Sequence, residues 1–295
     1  MMTRLALPLT AAVLLSACSI DVDSQGYIER EEKRFTVSGL PTINLTTFDG
    51  SIEVRGWDRN EVVVEIEKRG QDKEVVSRFT VTAEQKENQI SVDVRHSGGS
   101  TYIGIGTFTS PSARLVVSAP RHSNLMARSG DGSVLLDRLD GKLEVKTSDG
   151  SIRAVETSGT QLFETGDGSI TLEDVAGAIE GRTDDGTVRV SGMPSALRVR
   201  TGDGSIVLRI RRGTVMTDDW TVTTNDGSIV AELPEDFSAM IDAEPGSDSR
   251  ARTDLELIDQ VGGTRDNRTL QGRLGAGGKR LQLRSGDGSI RLTNY

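Results

Sequence analysis

The chain has 295 residues, a formal net charge of −9, 35% hydrophobic and only 4% aromatic residues, with 33 Gly and 7 Pro. The acidic balance excludes a general nucleic-acid binder, because no surplus of Lys and Arg exists to replace phosphate counterions. A single cysteine, Cys18, and two histidines, His96 and His122, exclude an intramolecular disulfide, a cysteine-based metal cage and a zinc site completed by histidine.

Residues 1–18 read as an export signal: Arg4 is the positive start, Leu5 to Leu15 form an apolar run too short to span a bilayer, and small residues come next. Leu15-Ser16-Ala17-Cys18 resembles the bacterial lipobox, in which the cysteine is lipidated and becomes the mature N-terminus. Cys18 is therefore the candidate lipidation site, and several acyl chains such as palmitate would hold the chain on a membrane where one would not. With Ser19 after the cysteine, the resemblance implies the outer membrane in a host with two membranes, facing the periplasm or the surface. Residues 19–34 are polar and aperiodic and are expected to be a flexible tether.

Residues 35–120 hold short alternating or β-branched runs, among them Ile43-Asn44-Leu45-Thr46, Val62-Val63-Val64-Glu65-Ile66 and Ile90-Ser91-Val92-Asp93-Val94. They predict an N-terminal β region that caps the repeating coils of residues 121–234. The one possible helix lies near 70–78, and the Gly/Ser/Thr-rich stretch 97–112, with Tyr102 and Phe108, reads as a hairpin or surface loop. Asp49-Gly50-Ser51-Ile52 is a first copy of a unit that later repeats.

Residues 121–234 predict a regular β-solenoid. Gly132, Gly150, Gly168, Gly186 and Gly204 recur every eighteen residues, with Gly141, Gly159, Gly177, Ser195 and Gly213 half-way between or after them. A short fixed period with a turn residue at each node is the signature of coils stacked on one another. The position two after each node holds Val134, Leu143, Ile152, Gln161, Ile170, Ile179, Val188, Leu197 and Ile206. The position four after holds Leu136, Val145, Ala154, Phe163, Leu172, Gly181, Val190, Val199 and Leu208. Two residues apart, these columns point to one side of a strand and form the core. Gln161 is the exception and needs an internal partner. On the outer face Lys146 is expected over Glu164, and Glu164 over Arg182. After Gly213 five extra residues around Asp218-Asp219-Trp220 precede the next copy, Asn225-Asp226-Gly227-Ser228-Ile229. Trp220 is expected to fold back over a coil. Residues 235–295 are expected to be closing coils and a cap, ending on Ser285-Gly286-Asp287-Gly288-Ser289-Ile290.

Asp131, Asp149, Asp167, Asp185 and Asp203 form the one repeated polar column. Read as corner residues, Asp and Ser would satisfy backbone amides there. Read as a ladder, they could bind Ca2+, as the calcium-binding nonapeptide roll does. That roll places Asp two residues before its large apolar residue on both edges; here Asp precedes Gly, and the second edge reads Asp140, Ser158, Ala176, Pro194. No metal ligand set or other cofactor is assigned, and no catalytic residue. G-x-S-x-G, H-E-x-x-H and P-loop patterns are absent.

With the lipobox, the Gly-Asp-Gly-Ser-Ile coils, the Gly56-Trp57-Asp58 turn, Leu115-Val116-Val117-Ser118-Ala119-Pro120, and the ending L-x-L-R-S-G-D-G-S-I-R-L, the chain resembles the putative adhesin family of bacterial envelope proteins. The resemblance runs from about Phe35 to the end. It implies an all-β, right-handed parallel β-solenoid with eighteen-residue coils of two nine-residue units, and no known catalytic residues. The expected function is a non-enzymatic, lipid-anchored surface for adhesion or scaffolding in the cell envelope. The alternatives are an accessory or signalling partner and a carbohydrate-active β-helix enzyme. The expected partners are a membrane, through the lipid, and an unidentified envelope protein or glycan; the protein itself is expected to be a monomer.

Overall fold

The computed structural model describes residues 15–23, 26–98, 110–262 and 268–294. Among the described residues the chain forms 24 strands and one short helix, Lys73–Ser77. That helix begins where Asp72 accepts a hydrogen bond from the Val75 amide at 2.9 Å, an N-cap in the stretch where the sequence allowed one.

The repeating region forms two columns of parallel strands joined at corners. In one column Val134 pairs with Ile152, Ile152 with Ile170, Ile170 with Val188 and Val188 with Ile206. In the other, Leu125 pairs with Leu143, Leu143 with Gln161, Gln161 with Ile179 and Ile179 with Leu197. The inward positions are buried as the alternation requires, from Val134 and Leu136 through Phe163 and Leu172 to Leu208. Fully burying a Val, Leu or Ile is worth about 1.5–3 kcal/mol, so each coil contributes a thin, mainly aliphatic layer, with Phe163 the aromatic member. Gln161 is buried in this layer with its polar atoms paired. Its Nε2 donates to the Ala176 carbonyl at 2.9 Å and its Oε1 accepts from Thr157 Oγ1 at 2.6 Å. On the outer face Lys146 meets Glu164 at 2.7 Å, with Arg182 on the far side of Glu164 at 3.9 Å.

The order of coils in space differs from their order in sequence at both ends. Strand Thr42–Thr47 pairs with Gln89–His96 on one side and Asn124–Ser129 on the other, so that Ile43 lies beside Leu125. Strand Ile52–Trp57 likewise lies between Ser112–Pro120 and Val134–Asp137. The coil of residues 42–57 is thus interior, and the expected boundary at residue 120 does not separate a cap from the coils. The C-terminal end repeats the device. Arg280–Ser285 is inserted between Trp220–Thr224 and Ala239–Glu244, and Ile290–Asn294 between Ile229–Leu233 and Ala251–Thr253. The last copy of the motif is an interior coil, not the closing one.

Antiparallel strands flank this stack. Phe79–Lys86 pairs with Gln89–His96, and Gly26–Thr36 with Glu61–Gly70, which in turn pairs with Ser112–Pro120. At the far end Leu270–Leu274 and Ile258–Gly262 extend from Ala239–Glu244. Strand Gly26–Thr36 corrects the expected tether of residues 19–34. Its backbone is paired along its length, Phe35 is buried, and Lys68 of the neighbouring strand reaches Glu29 at 2.5 Å. Strong charge hid a strand whose outer face is solvated. Leu15–Asp23 pairs antiparallel with the same strand, while residues 1–14 of the export signal lie outside the described residues.

Candidate functional site

Among the described residues, the repeated corner is the polar feature that runs the length of the stack. It begins with a Thr or Ser that ends each inward-facing strand and turns its hydroxyl into the corner. Thr147 Oγ1 donates to the Gly132 carbonyl of the preceding coil at 3.0 Å. Thr165 reaches Gly150, Thr183 reaches Gly168, Thr201 reaches Gly186 and Thr224 reaches Gly204, each at 2.8 Å. Ser129 repeats the bond to Gly50 at 2.7 Å, and Ser285 to Gly227 at 2.8 Å. Several of the same oxygens also accept from the glycine of their own corner: Gly186 N to Thr183 at 3.1 Å, Gly204 N to Thr201 at 3.3 Å, Gly227 N to Thr224 at 3.1 Å. These side chains are buried, so each bond spares a backbone group the cost of desolvation without a partner.

The glycines are needed for proximity. A Cβ on Gly132, Gly150, Gly168, Gly186, Gly204, Gly227 or Gly288 would overlap the carbonyl oxygen of the glycine in the neighbouring coil. None of these seven has a positive φ. They are Gly because the backbone of one coil rests on that of the next.

The aspartates form the expected row but not the expected hydrogen bonds. Asp131, Asp149, Asp167, Asp185 and Asp203 all lie exposed along one edge, one per coil. No hydrogen bond to any of the five carboxylates is found among the described residues; corner amides go instead to Thr or Ser hydroxyls, as that of Gly186 does, or to carbonyls of the preceding coil, as those of Asp167 and Asp185 do. Among the described residues no group of three or more His, Cys, Asp or Glu converges on a point where a metal ion could sit. A strand spacing of about 4.8 Å keeps the carboxylates in a row and does not wrap them round a cation.

The row does carry mutual repulsion. Partial loss of hydration, then the charges of Asp203, Asp167 and Asp184, push the Asp185 carboxyl above its ordinary value of 3.8. Burial and then Asp131 do the same to Asp49. A carboxyl whose native pKa is raised disfavours the folded state once ionised, and that penalty is relieved as pH falls through the raised pKa. Asp185→Asn is therefore expected to raise Tm slightly at pH 7, with the gain disappearing below the ordinary carboxylate pKa. Thermal melts at both pH values test this; a lower Tm for the variant at pH 7 would contradict it.

A second polar group lies on the opposite corners. His122, Asp140 and Ser158 stack in register on three successive coils. Asp140 accepts from Ser158 Oγ at 2.7 Å and sits 2.8 Å from His122 Nδ1. The Ser158 bond, with His122 beside it, holds the Asp140 carboxyl below its usual range. The carboxylate stands between hydroxyl and imidazole, so the histidine cannot take the serine proton, and the arrangement lacks the order of a nucleophilic triad.

A family model described as Toastrack DUF4097 matches residues 41–293. The chain belongs to that family. The match spans the inserted coils at both ends of this Toastrack chain, and it agrees with the adhesin-like resemblance of the sequence. A solved structure described as a putative adhesin from Parabacteroides distasonis is 10% identical, covering 90% of this chain and 97% of its own, with a TM-score of 0.43. One described as a putative adhesin from Bacteroides fragilis is 12% identical over 90% and 97%, with a TM-score of 0.35. One described as a putative lipid binding protein from Parabacteroides distasonis is 12% identical over 90% and 96%, with a TM-score of 0.38. Among curated proteins none matches this chain.

The five-residue insertion of this Toastrack chain does not offer Trp220 to solvent. The indole is fully buried, its Nε1 donates to the Ser195 carbonyl at 3.4 Å, and its ring lies 5.5 Å from that of Phe237. It cannot serve as a sugar platform. Tyr102, in the Gly/Ser/Thr-rich stretch, lies outside the described residues. No helix among the described residues is long and apolar enough to cross a membrane.

Proposed function

We propose that this Toastrack protein is a non-enzymatic, lipid-anchored solenoid of the cell envelope that presents its outer strand faces as a binding or scaffolding surface. The proposal includes a right-handed column of eighteen-residue coils closed at each end by antiparallel strands. The observation that carries it is the position of Cys18, the only cysteine, directly after an apolar run and within Leu15-Ser16-Ala17-Cys18. Acylation there would place the anchor at a new N-terminus directly before residues 19–23, which pair with the charged strand Gly26–Thr36 at one end of the column. The rest of the architecture suits presentation more than catalysis: polar groups in the corners are spent on holding coils together, and the buried aromatics are packed as core.

Cys18→Ala is expected to move the protein from the membrane fraction to the soluble fraction and to abolish incorporation of a labelled fatty acid. Membrane attachment that persists in the variant would sink the lipid-anchor reading.

A further inference from the structure

We infer that the outer face of the column carries a binding site for a phosphoryl group, built from Arg182, Arg198 and Arg200 with the hydroxyls of Thr221 and Thr223. The inference adds a ligand class to the presenting surface proposed above and does not require the lipid anchor.

Three adjacent parallel strands create the site. Arg182 pairs in register with Arg200, and Arg200 with Thr223; one step back along the strands, Glu180 pairs with Arg198, and Arg198 with Thr221. Alternation sends all of these side chains outward, because Leu197, Val199, Thr201 and Val222 between them point into the core and are buried. The three arginines are exposed. Neighbouring strands lie about 4.8 Å apart and alternate residues about 6.6–6.8 Å apart, so the three guanidinium groups can converge on one anion.

What distinguishes this patch is that its charges are unspent. Several other cations on this column are paired, among them Arg128 with Glu144, Lys146 with Glu164, and Arg284 with Asp242 and Glu244. The side chains of Arg198 and Arg200 make no ion pair or hydrogen bond among the described residues, and that of Arg182 has only the distant edge of Glu164 at 3.9 Å. Like charges facing each other on neighbouring strands oppose sheet formation, and two arginines do so here in a chain of net charge −9. An anion that bridges them removes that repulsion.

The donor set specifies the ligand. Guanidinium forks offer pairs of parallel N–H groups that match the oxygens of a phosphoryl group, and two hydroxyls on the next strand can complete a tetrahedral set. The patch is also small. Glu164 and Glu180 bound it on one side, and the exposed Asp184 and Asp203 lie just beyond the ends of its strands. A compact, multiply charged group fits; a broad anionic surface would meet those carboxylates as well.

The test is titration of the full-length protein with inorganic phosphate, monitored by thermal shift and by 31P line width, against sodium chloride at matched ionic strength. Saturable stabilisation and broadening specific to phosphate are expected. The double substitution R198Q/R200Q should weaken binding at least tenfold, while Arg189→Gln, on the other column, should leave it unchanged. Without phosphate the double variant should melt no lower than the parent, since it removes repulsion; a markedly lower Tm would mean the arginines are structural and would overturn the site. A second arm sediments the protein with vesicles of phosphatidylglycerol in phosphatidylcholine, using Cys18→Ala so that anchoring plays no part. Retention that depends on Arg198 and Arg200 assigns the phosphoryl group to a lipid headgroup. Phosphate binding without retention assigns it to a soluble or glycan-borne group. If the parent protein shows neither a phosphate-specific response nor arginine-dependent retention, the inference is wrong, whatever the fate of the lipid-anchor proposal.

Discussion

Gly168→Ala is expected to destabilise the protein by roughly 3 kcal/mol or more, a large part of the stability of an ordinary domain. The added methyl would overlap the Gly150 carbonyl oxygen, which is backbone and cannot swing aside. Relief requires the two coils to separate, and separation also stretches the Thr165 bonds to Ser148 and Gly150 across the same interface. Stability in a stacked array is approximately a sum of nearest-neighbour interfaces, so damage at one interface weakens the coupling of the halves on either side. The control is Gly181→Ala. Gly181 is also buried, but its added Cβ would come no closer than 3.9 Å, to Val188 Cγ1. There the methyl fills apolar space and reduces the freedom of the unfolded chain, so a neutral effect or a gain of up to about 1 kcal/mol is expected. Urea melts of the two variants decide the matter; equal losses would show that these glycines are tuned to something other than coil-to-coil approach.

Thr183→Val is expected to cost about 1–3 kcal/mol, with Thr183→Ser costing less. Valine keeps the shape of threonine and removes only the hydroxyl. That hydroxyl lies 2.8 Å from both the Gly166 and the Gly168 carbonyls and accepts from the Gly186 amide at 3.1 Å. The site is buried, so water cannot replace the lost partner. Serine retains the hydrogen bonds, and Ser129 and Ser285 already occupy equivalent corners. Faster hydrogen exchange at the Gly186 amide in the valine variant, and not in the serine variant, would locate the effect. Equal stability of the two variants would refute the assigned role.

Both predictions depend on contacts that the repeat suggests but does not specify. The aspartate is the conspicuous member of the corner because it recurs beside glycine, yet it is the exposed member whose carboxylate bonds to nothing there. Thr and Ser three residues before the glycine do the bonding expected of the aspartate. The signal is present in the sequence as a Thr or Ser at every corner from Thr47 to Ser285. It is recognisable as structural only once the carbonyl of the previous coil is seen within reach. Gln161 shows the opposite case: a polar residue in an apolar column demands an internal partner, and the demand is met by Thr157 and Ala176.

Periodicity by itself determined the inward columns, the corner positions and the charge register of Lys146, Glu164 and Arg182. These arise from alternation and turn chemistry, which act over a few residues and are written in side chains. Only the tertiary structure decided which coils are neighbours at the ends. Gly50 lies under Gly132 and Gly288 lies on Gly227, although long stretches of chain separate each pair. Parallel strands are joined through backbone groups that are alike at nearly every residue, so any coil with the right corner and apolar columns can occupy a slot. The chain uses that freedom twice, seating an early coil and its last coil in the interior of the stack. The regular eighteen-residue stacking between those two insertions is what presses the corner glycines together and sets Arg182 beside Arg200 on the outer face.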